Sequence, residues 1–352
     1  MIISQTPFRI SFFGGGTDYP LWFREHGGAV LATTIDKYCY LSCRYLPPFF
    51  AHKHRIVYSV IENVKEIEDI KHPAVREVVK YLGIRDGLEV HHDGDLPARS
   101  GLGSSSSFTV GLLNTLYALH GKLTSKAQLA KLAIHIEQNI IKETVGSQDQ
   151  ISAAFGGFNI IKFNRDDSFQ VDPVIITKER KEELESHLML FFTGISRTAE
   201  TVAQSKLKNF EKKTSQLSTM FQMVQEAQSI LESSRVSICE IGEMLHEGWL
   251  LKQELSDKVS NKFVSDMYTS ALESGAIGGK LLGAGGGGFM LLFVPPERQE
   301  QVRQRLRGLI EVNFKFENQG SRITLYDPNL GNSVETLKAA ASIQLPSPDQ
   351  LM

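Results

Sequence analysis

Two carboxylates in the middle of the chain lie in surroundings that suit phosphoryl transfer. Glu137 falls in an apolar, periodic segment that predicts a helix, and Asp149 stands at the start of the short segment QDQISAAF. Phosphoryl transfer needs few protein groups: a metal ligand, a cradle for phosphates, and a carboxylate that orients or deprotonates the acceptor. An exposed Glu and an Asp that complements a helix N-terminus are the ordinary alternatives. The choice therefore depends on what surrounds them.

A segment rich in glycine and serine precedes a predicted helix over 104–119. Its residues are Gly101, Leu102, Gly103, Ser104, Ser105, Ser106 and Ser107. Free backbone N–H groups at a helix N-terminus, together with the helix dipole, bind phosphate well. Serine hydroxyls can add hydrogen bonds or a Mg²⁺ ligand. One serine would be enough for an N-cap, so four behind G-x-G favour an anion site.

Two further glycine-rich segments flank this one in the chain. The first contains Gly15, Gly16, Thr17 and Asp18. Its glycines allow close approach of a ligand, and its Asp can accept hydrogen bonds from sugar hydroxyls. A tight turn with a solvated Asp is the alternative. The second, GAGGGG at 283–288, has the G-x-G-x-x-G spacing of a dinucleotide site. Because FMLLFV follows it and predicts a strand rather than a helix, the dinucleotide interpretation fails.

Length and composition limit the other classes of function. The chain has 352 residues, which indicates two domains, and we place them at 1–183 and 184–352. A net charge of −2 does not predict a nucleic-acid partner. No apolar run reaches the roughly 20 residues of a membrane span, and the N-terminus lacks the basic start and the small-residue cleavage site that are typical of a signal peptide. With three cysteines, an odd and low count, we expect a cytoplasmic protein.

Strands and helices mix along the sequence without a strict βαβ rhythm, which predicts an α+β fold. The motifs together resemble the GHMP kinases, named for galactokinase, homoserine kinase, mevalonate kinase and phosphomevalonate kinase. PFRIS through Asp18, Pro97 with GLGSSSS, and GAGGGG occur in the order of that family. The resemblance spans nearly the whole chain. It implies a ribosomal-protein-like N-terminal domain, a ferredoxin-like C-terminal domain, and ATP and acceptor bound between them.

The resemblance also implies roles for individual residues. The serine-rich loop would wrap the phosphates of ATP. Ser105 and Glu137 match the family's Mg²⁺ ligands. Asp149 matches the Asp that acts as a base or orients the acceptor hydroxyl, and Arg9 occupies the place of a cation that would steady the developing charge. Asp18 matches the sugar-binding Asp of the galactokinase-like GTDY segment.

Two departures from the family pattern concern the acceptor. Leu282 stands where several branches carry Thr, so a hydroxyl contact to the reacting end is not expected here. GGGTD replaces the GEHTD of galactokinase, and this second departure makes galactose a less expected substrate. We expect Gly285 and Gly286 of the third glycine segment to contact the substrate and to shape the space between acceptor and phosphates.

Within the family, the segments FFGGGTDYP, TTIDKYCY and LPPFF-x-HK most resemble D-glycero-D-manno-heptose 7-phosphate kinases. Those enzymes phosphorylate the anomeric hydroxyl on the route to nucleotide-activated heptose, so the 1,7-bisphosphate is the expected product. A basic cluster with Arg44, Lys53 and Arg55 would hold the phosphate already on the sugar. A solvated loop is the alternative. Arg197 is a further candidate for phosphate or sugar contact.

Other functions remain open at this point. One is a kinase for another sugar, of the fucose or hexose type, and another is a non-catalytic protein that kept the fold and binds a ligand. The presence of both Glu137 and Asp149 argues against the second. The oligomeric state is open and includes a homodimer.

Overall fold

The computed structural model describes residues 1–194 and 199–328, with the side chains of 199–201 left aside. The strands are β1 (Ile2–Phe13), β2 (Gly28–Tyr45), β3 (His54–Val57), β4 (Ile61–Val64), β5 (Leu88–Gly94), β6 (Phe158–Phe163), β7 (Phe169–Pro173), β8 (Leu188–Phe192), β9 (Gly278–Leu281), β10 (Phe289–Phe293), β11 (Ile310–Glu311), β12 (Phe316–Glu317) and β13 (Arg322–Tyr326). The α-helices are α1 (Pro20–His26), α2 (Pro73–Tyr81), α3 (Ser104–Leu119), α4 (Lys126–Ile134), α5 (Gln148–Phe155), α6 (Lys178–Ser186), α7 (Ala199–Leu207), α8 (Thr214–Glu232), α9 (Cys239–Glu254), α10 (Lys262–Glu273) and α11 (Gln299–Arg305).

The first sheet is built around β2, which is long enough to serve two sets of neighbours. Residues 28–33 of β2 pair with β6, and residues 39–45 pair with β5. The main path of the sheet runs β13-β1-β2-β5-β3-β4. β-Branched and aromatic residues dominate β1 and β2, as expected for strands with a buried face.

Helix α3 packs across this sheet and is buried from Ser106 to Leu119. A helix that is apolar nearly all round belongs in the interior. Its close approach to β1 depends on Gly111, because a Cβ there would lie only 2.8 Å from the Oγ1 of Thr6. The packing fixes the N-terminus of α3, and with it the serine-rich loop.

Helix α4 begins with a capping box and ends by widening. The N–H of Gln128 donates to the Oγ of Ser125, and the N–H of Ser125 donates to the Oε1 of Gln128. The predicted helix then continues from His135 to Ile140 as a π-helix that contains Glu137. Short π-helical turns are frequent at functional sites.

The second sheet is antiparallel, with the order β11-β8-β10-β9. The strand predicted after GAGGGG is β10, so the helix that a dinucleotide site requires is absent from this position. Mixed helix and strand content agrees with the expected α+β class. The chain then returns to the first sheet, where β12 pairs with β2 and β13 with β1. The last strands thus lie with the N-terminal half, which a division into 1–183 and 184–352 does not describe. None of the described helices has the length and apolarity needed to cross a bilayer.

Candidate active site

A cleft of about 860 Å³ brings the three glycine-rich segments together. It is lined by residues from both sheets and from the helices between them. From the three segments themselves, the residues at its surface are Gly15, Gly16, Asp18, Gly101, Gly103, Ser104, Ser105, Ser106, Gly283 and Ala284. Segments that are far apart in sequence therefore contribute to one site.

An ion pair lies at the wall of this cleft. The Nε and Nη2 of Arg9 donate to the Oδ1 and Oδ2 of Asp149 at 2.7 and 2.8 Å. The Nη1 of Arg9 donates to the carbonyl of Gly101 at 2.7 Å. The Arg9 side chain is 5% exposed and that of Asp149 26%. The guanidinium is thus fixed inside the protein, and the carboxylate is the partner that is open to a ligand.

The serine-rich loop at 101–107, called the phosphate loop below for its expected role, has the backbone geometry of a ligand cradle. Gly101 and Gly103 have φ of 86° and 77°, in the left-handed region that favours glycine. A Cβ on Gly103 would lie 3.2 Å from the Cγ of Arg9 and 3.4 Å from the Oδ2 of Asp149. Helix α3 begins at Ser104, so its free N–H groups face the same space as the ion pair.

The four serines of this loop divide into two pairs. Ser104 and Ser105 are accessible at the cleft, and the N–H of Arg99 donates to the Oγ of Ser104 at 3.1 Å. Ser107 is buried and its Oγ donates to the carbonyl of Pro7 at 2.9 Å. Leu102 is fully buried and its carbonyl accepts the N–H of Arg9. The sequence predicted all of them as ATP contacts, but Leu102 and Ser107 hold the loop onto β1.

Glu137 is buried beneath the loop, with 1% of its surface exposed. Its Oε2 accepts hydrogen bonds from the Oγ of Ser106 at 2.9 Å and from the Nε2 of Gln150 at 2.5 Å. Its Oε1 has no hydrogen-bond partner among the described residues. Burial raises the pKa of this carboxyl to about 7. A cation beside Oε1 would satisfy that atom and favour the ionised form.

The serine bonded to Glu137 is Ser106, whereas the family resemblance pointed to Ser105. The described part of the chain contains no cluster of three or more His, Cys, Asp or Glu side chains able to hold a metal. A Mg²⁺ ion that travels with a nucleotide needs only one or two protein carboxylates, because phosphates and water complete its shell. The residues present therefore fit Mg²⁺ bound with a nucleotide.

The third glycine segment lies behind the phosphate loop. A Cβ on Gly283 would lie 2.4 Å from the Cα of Gly101, and one on Gly288 would lie 2.2 Å from the carbonyl oxygen of Ser100. The backbones can pack this closely only because positions 283 and 288 lack a Cβ. Gly285 and Gly286 do not line the cleft. They turn towards Val259, whose carbonyl accepts the N–H of Gly286 at 2.8 Å, and this corrects the expectation that they contact substrate.

Asp18, the last residue of the first glycine segment, lines the cleft. Its Oδ1 accepts the N–H of Gly16 at 2.9 Å, and its Oδ2 accepts the Nε2 of Gln148 at 3.0 Å. Burial raises the pKa of Asp18. Thr17 is a structural residue instead, because its Oγ1 donates to the carbonyls of Gly14 and Ala29 and it does not reach the cleft.

Three lysines of the cleft were not predicted from the sequence. Lys206 on α7, Lys252 on α9 and Lys280 on β9 are each 6% exposed and line the cleft. Burial lowers the pKa of all three, that of Lys280 to about 7. Lys206 and Lys252 lie in ordinary helical sequence with no glycine motif beside them, so spacing carried no signal for them. Lys280 follows Gly279 and lies three residues before GAGGGG, and that proximity was the available signal.

The structure does not bring the predicted basic cluster to the cleft. Strand pairing sets Arg44 and Arg55 both opposite Glu89 on β5. Arg44 lies 2.6 Å from the Glu89 carboxylate, and Arg55 lies 4.0 Å from it. Lys53 is exposed and also absent from the cleft lining. Arg197 lies outside the described residues.

One wall of the cleft is aromatic, and sequence reasoning missed it. The rings of His72 and Phe108 stack with centroids 4.5 Å apart, and those of Tyr58 and His72 meet edge to face at 4.8 Å. His92 packs against the other side at 5.2 Å from Phe108. Burial lowers the pKa of His72 to about 4, so this ring is neutral at physiological pH. A neutral aromatic surface can stack on a planar base.

Comparison with known proteins agrees with this geometry. The profile described as GHMP kinases N terminal domain matches residues 65–157, and GHMP kinases C terminal matches residues 235–310. A D-glycero-alpha-D-manno-heptose 7-phosphate kinase of Campylobacter jejuni is 30% identical over 334 residues, covering 91% of this chain and 97% of that protein. A bifunctional fucokinase/GDP-fucose pyrophosphorylase of Arabidopsis thaliana is 29% identical over 342 residues, covering 89% of this chain and 32% of that protein.

Among solved structures, a D-glycero-D-manno-heptose 1-phosphate kinase from Bacteroides thetaiotaomicron has a TM-score of 0.75 and 23% identity. The match covers 93% of this chain and 100% of that chain, and at this identity it shows the fold alone. The sequence match to the heptose 7-phosphate kinase of C. jejuni extends over both halves of the protein. With its three glycine segments and the Arg9–Asp149 pair gathered in one cleft, this chain belongs to the GHMP kinase family and is a sugar kinase that takes its phosphoryl group from ATP.

Proposed function

We propose that this kinase phosphorylates the anomeric hydroxyl of D-glycero-D-manno-heptose 7-phosphate and forms the 1,7-bisphosphate used for nucleotide-heptose synthesis. The similarity to the heptose 7-phosphate kinase of C. jejuni supports this acceptor. The observation that carries the proposed chemistry is the Arg9–Asp149 ion pair beside Gly103, at the N-terminus of α3. A carboxylate beside a helix N-terminus supports transfer of a phosphoryl group that is held at that N-terminus.

Asp149 is the group that contacts the acceptor hydroxyl in this proposal. Each of its oxygens accepts one hydrogen bond from Arg9 and keeps a further lone pair. A carboxylate held so firmly is a well-oriented acceptor. The transition state of phosphoryl transfer is loose, so the hydroxyl needs orientation more than early deprotonation. Asp149 therefore aligns the hydroxyl and receives its proton as the bond from the hydroxyl oxygen to the γ-phosphorus forms and the bond from that phosphorus to the β,γ-bridging oxygen of ATP breaks, which releases ADP.

The nucleotide lies along the other part of the cleft. Its phosphates are held by the N–H groups at the start of α3 and by the accessible hydroxyls of Ser104 and Ser105. The base stacks on the aromatic wall around His72 and Phe108. Arg9 stays bound to Asp149 and to the carbonyl of Gly101, so it links the acceptor group to the phosphate loop.

Glu137 is the protein's Mg²⁺ ligand in this proposal, with Ser105 or Ser106 as the hydroxyl partner. Its free Oε1 and its position beneath the phosphate loop support the assignment. When bound, Mg²⁺ would neutralise charge on the β- and γ-phosphates. Gln150 and Ser106 orient the Glu137 carboxylate through Oε2, which leaves Oε1 for the metal.

The test is a panel of acceptors assayed for ADP release: heptose 7-phosphate, free heptose, fucose, galactose and mannose. We expect the highest kcat/KM for heptose 7-phosphate and phosphate transfer to its anomeric position by NMR. The relationship to the fucokinase of A. thaliana makes fucose the second candidate. Faster turnover of fucose would replace the acceptor and keep the kinase. No turnover of any sugar would favour a ligand-binding protein.

A further inference from the structure

Lys206 is a buried lysine at the acceptor end of the cleft. It lies near the end of α7, is 6% exposed, and lines the cleft beside Tyr19. Its Nζ lies 5.9 Å from the centroid of the Tyr19 ring. Within the described part of the chain, its ammonium group makes neither a hydrogen bond nor an ion pair, and its backbone carbonyl accepts the N–H of Asn209.

The other buried cations of the cleft are already engaged. Arg9 is paired with Asp149. Lys252 donates to the carbonyls of Leu281 and Gly283 at 2.6 and 2.7 Å, and Lys280 donates to the carbonyl of Phe12 at 2.7 Å. These three side chains hold the walls of the cleft together.

The surroundings of Lys206 place it with the acceptor. Burial lowers its pKa, and the charges of Asp18 and Asp149 oppose that effect. Both carboxylates belong to the acceptor end of the site, and their own hydrogen bonds are made with Gly16, Gln148 and Arg9. A buried cation that lacks a hydrogen-bonded partner is costly, and a bound anion would offset that cost.

We infer that Lys206 binds the phosphate monoester that the acceptor sugar carries before the reaction. An ammonium group binds phosphate as a point charge with several donors. The inference rests on the proposed function, because it takes Asp149 to mark the reacting hydroxyl. It also assigns the phosphate contact to Lys206 on α7, and not to Arg44, Lys53 and Arg55.

The experiment compares Lys206→Met with Lys208→Met, an exposed lysine two positions further on. For each variant, kcat/KM is measured for heptose 7-phosphate and for free heptose, together with the KM for ATP. We expect Lys206→Met to reduce the preference for the phosphorylated sugar by about 10- to 150-fold, the scale of one hydrogen bond to a charged group. The loss of kcat/KM with free heptose is much smaller than with heptose 7-phosphate, while the KM for ATP and all values for Lys208→Met stay unchanged. Lys206→Arg retains part of the preference.

Several outcomes would overturn the inference. Equal losses with both sugars would make Lys206 a structural residue, and a higher KM for ATP would assign it to the nucleotide phosphates. A wild-type enzyme with no preference between the two sugars would also refute it, while kinase activity would stand. Melting temperature separates folding from binding: Lys206→Met should be at least as stable as wild type, because it removes an uncompensated buried charge.

Calorimetry keeps this test independent of turnover. Heptose 7-phosphate is titrated into the ADP-bound wild type and into Lys206→Met. If no sugar is phosphorylated, the proposed function fails. A dissociation constant for heptose 7-phosphate that is higher in Lys206→Met than in the wild type would still support the phosphate site. Identical dissociation constants in the two proteins would refute it. Lys206→Gln replaces Lys206→Met if the methionine variant does not fold.

Discussion

Arg9 and Asp149 lie 140 residues apart in the chain and meet in a two-point ion pair, with nitrogen–oxygen distances of 2.7 and 2.8 Å. Arg9 comes from the long first strand and Asp149 from the first turn of α5. Because Gly103 packs against both, the pair is also in contact with the phosphate loop. The Asp149 carboxylate, the Arg9 guanidinium and the loop at 101–107 are thus held in direct contact.

Asp149→Asn keeps the size of this side chain and removes its charge. We expect kcat to fall by about 10²-fold or more, which is the scale of losing a general base. ATP binding, measured by calorimetry, should change little because the proposal assigns the ATP phosphates to the N–H groups of α3 and to Ser104 and Ser105, and not to Asp149. Activity close to wild type would show that Asp149 has no role with the acceptor.

A second two-point ion pair on the surface provides the matched control for this variant. Arg24 donates to both carboxylate oxygens of Asp167 at 2.8 and 3.2 Å, and both side chains are exposed. Asp167→Asn makes the same chemical change at a residue that does not line the cleft. Its kcat should equal that of the wild type, since exposed pairs contribute little.

Glu137→Gln should separate the metal requirement from folding. The amide can still bond Ser106 and Gln150 but is a poor Mg²⁺ ligand. We therefore expect a higher Mg²⁺ concentration for half-maximal activity and a lower kcat, with the fold retained. Unfolding of the variant, or an unchanged Mg²⁺ dependence, would contradict the metal role.

The same residue predicts a pH effect on stability. Its pKa rises from an ordinary 4.5 to about 7 on folding, so between these values the folded state binds more protons than the unfolded state. The contribution of Glu137 to stability is therefore full below pH 4.5 and is lost as the pH rises towards 7. Without nucleotide and Mg²⁺, Glu137→Gln should lack this loss and melt above the wild type at about pH 8. Equal melting curves there would contradict the burial of an ionisable Glu137.

Gly103→Ala tests whether the glycine serves the ion pair or only the turn. The new Cβ would lie 3.2 Å from Arg9 and 3.4 Å from Asp149, at a φ of +77°. Gly121→Ala is the control, because Gly121 has a φ of +69° and open space around its Cβ position. Both variants should lose about 1–2 kcal/mol of stability through left-handed strain. Only Gly103→Ala should lose most of its kcat, and similar activity in the two variants would make Gly103 an ordinary turn residue.

Arg44→Ala should leave the substrate preference intact. Arg44 is paired with buried Glu89 away from the cleft, so its loss costs about 1.5–3 kcal/mol of stability, the scale of a hydrogen bond to a charged group. The check is the melting temperature together with kcat/KM for phosphorylated and free heptose. A selective loss with the phosphorylated sugar would return the phosphate site to this basic cluster.

Much of the site was predictable because glycine and serine patterns report local backbone geometry. GLGSSSS indicated a helix N-terminus that binds anions, and α3 begins there at Ser104. The strand after GAGGGG was likewise evident from FMLLFV and excluded a dinucleotide site. Asp149 was predicted in the first turn of a short helix, where α5 now places it. Each of these conclusions depends on neighbours within a few positions of the chain.

The tertiary structure decided which side chains share a space. Strand register sets Arg44 and Arg55 against Glu89, and no local pattern reveals the register between β2, β3 and β5. Lys206 shows the reverse case: a lysine in a polar helical segment is expected at the surface, and the packing of α7 buries it beside Tyr19. Burial and long-range pairing depend on the whole chain, so the charges of the acceptor site emerged only when the fold brought both halves together.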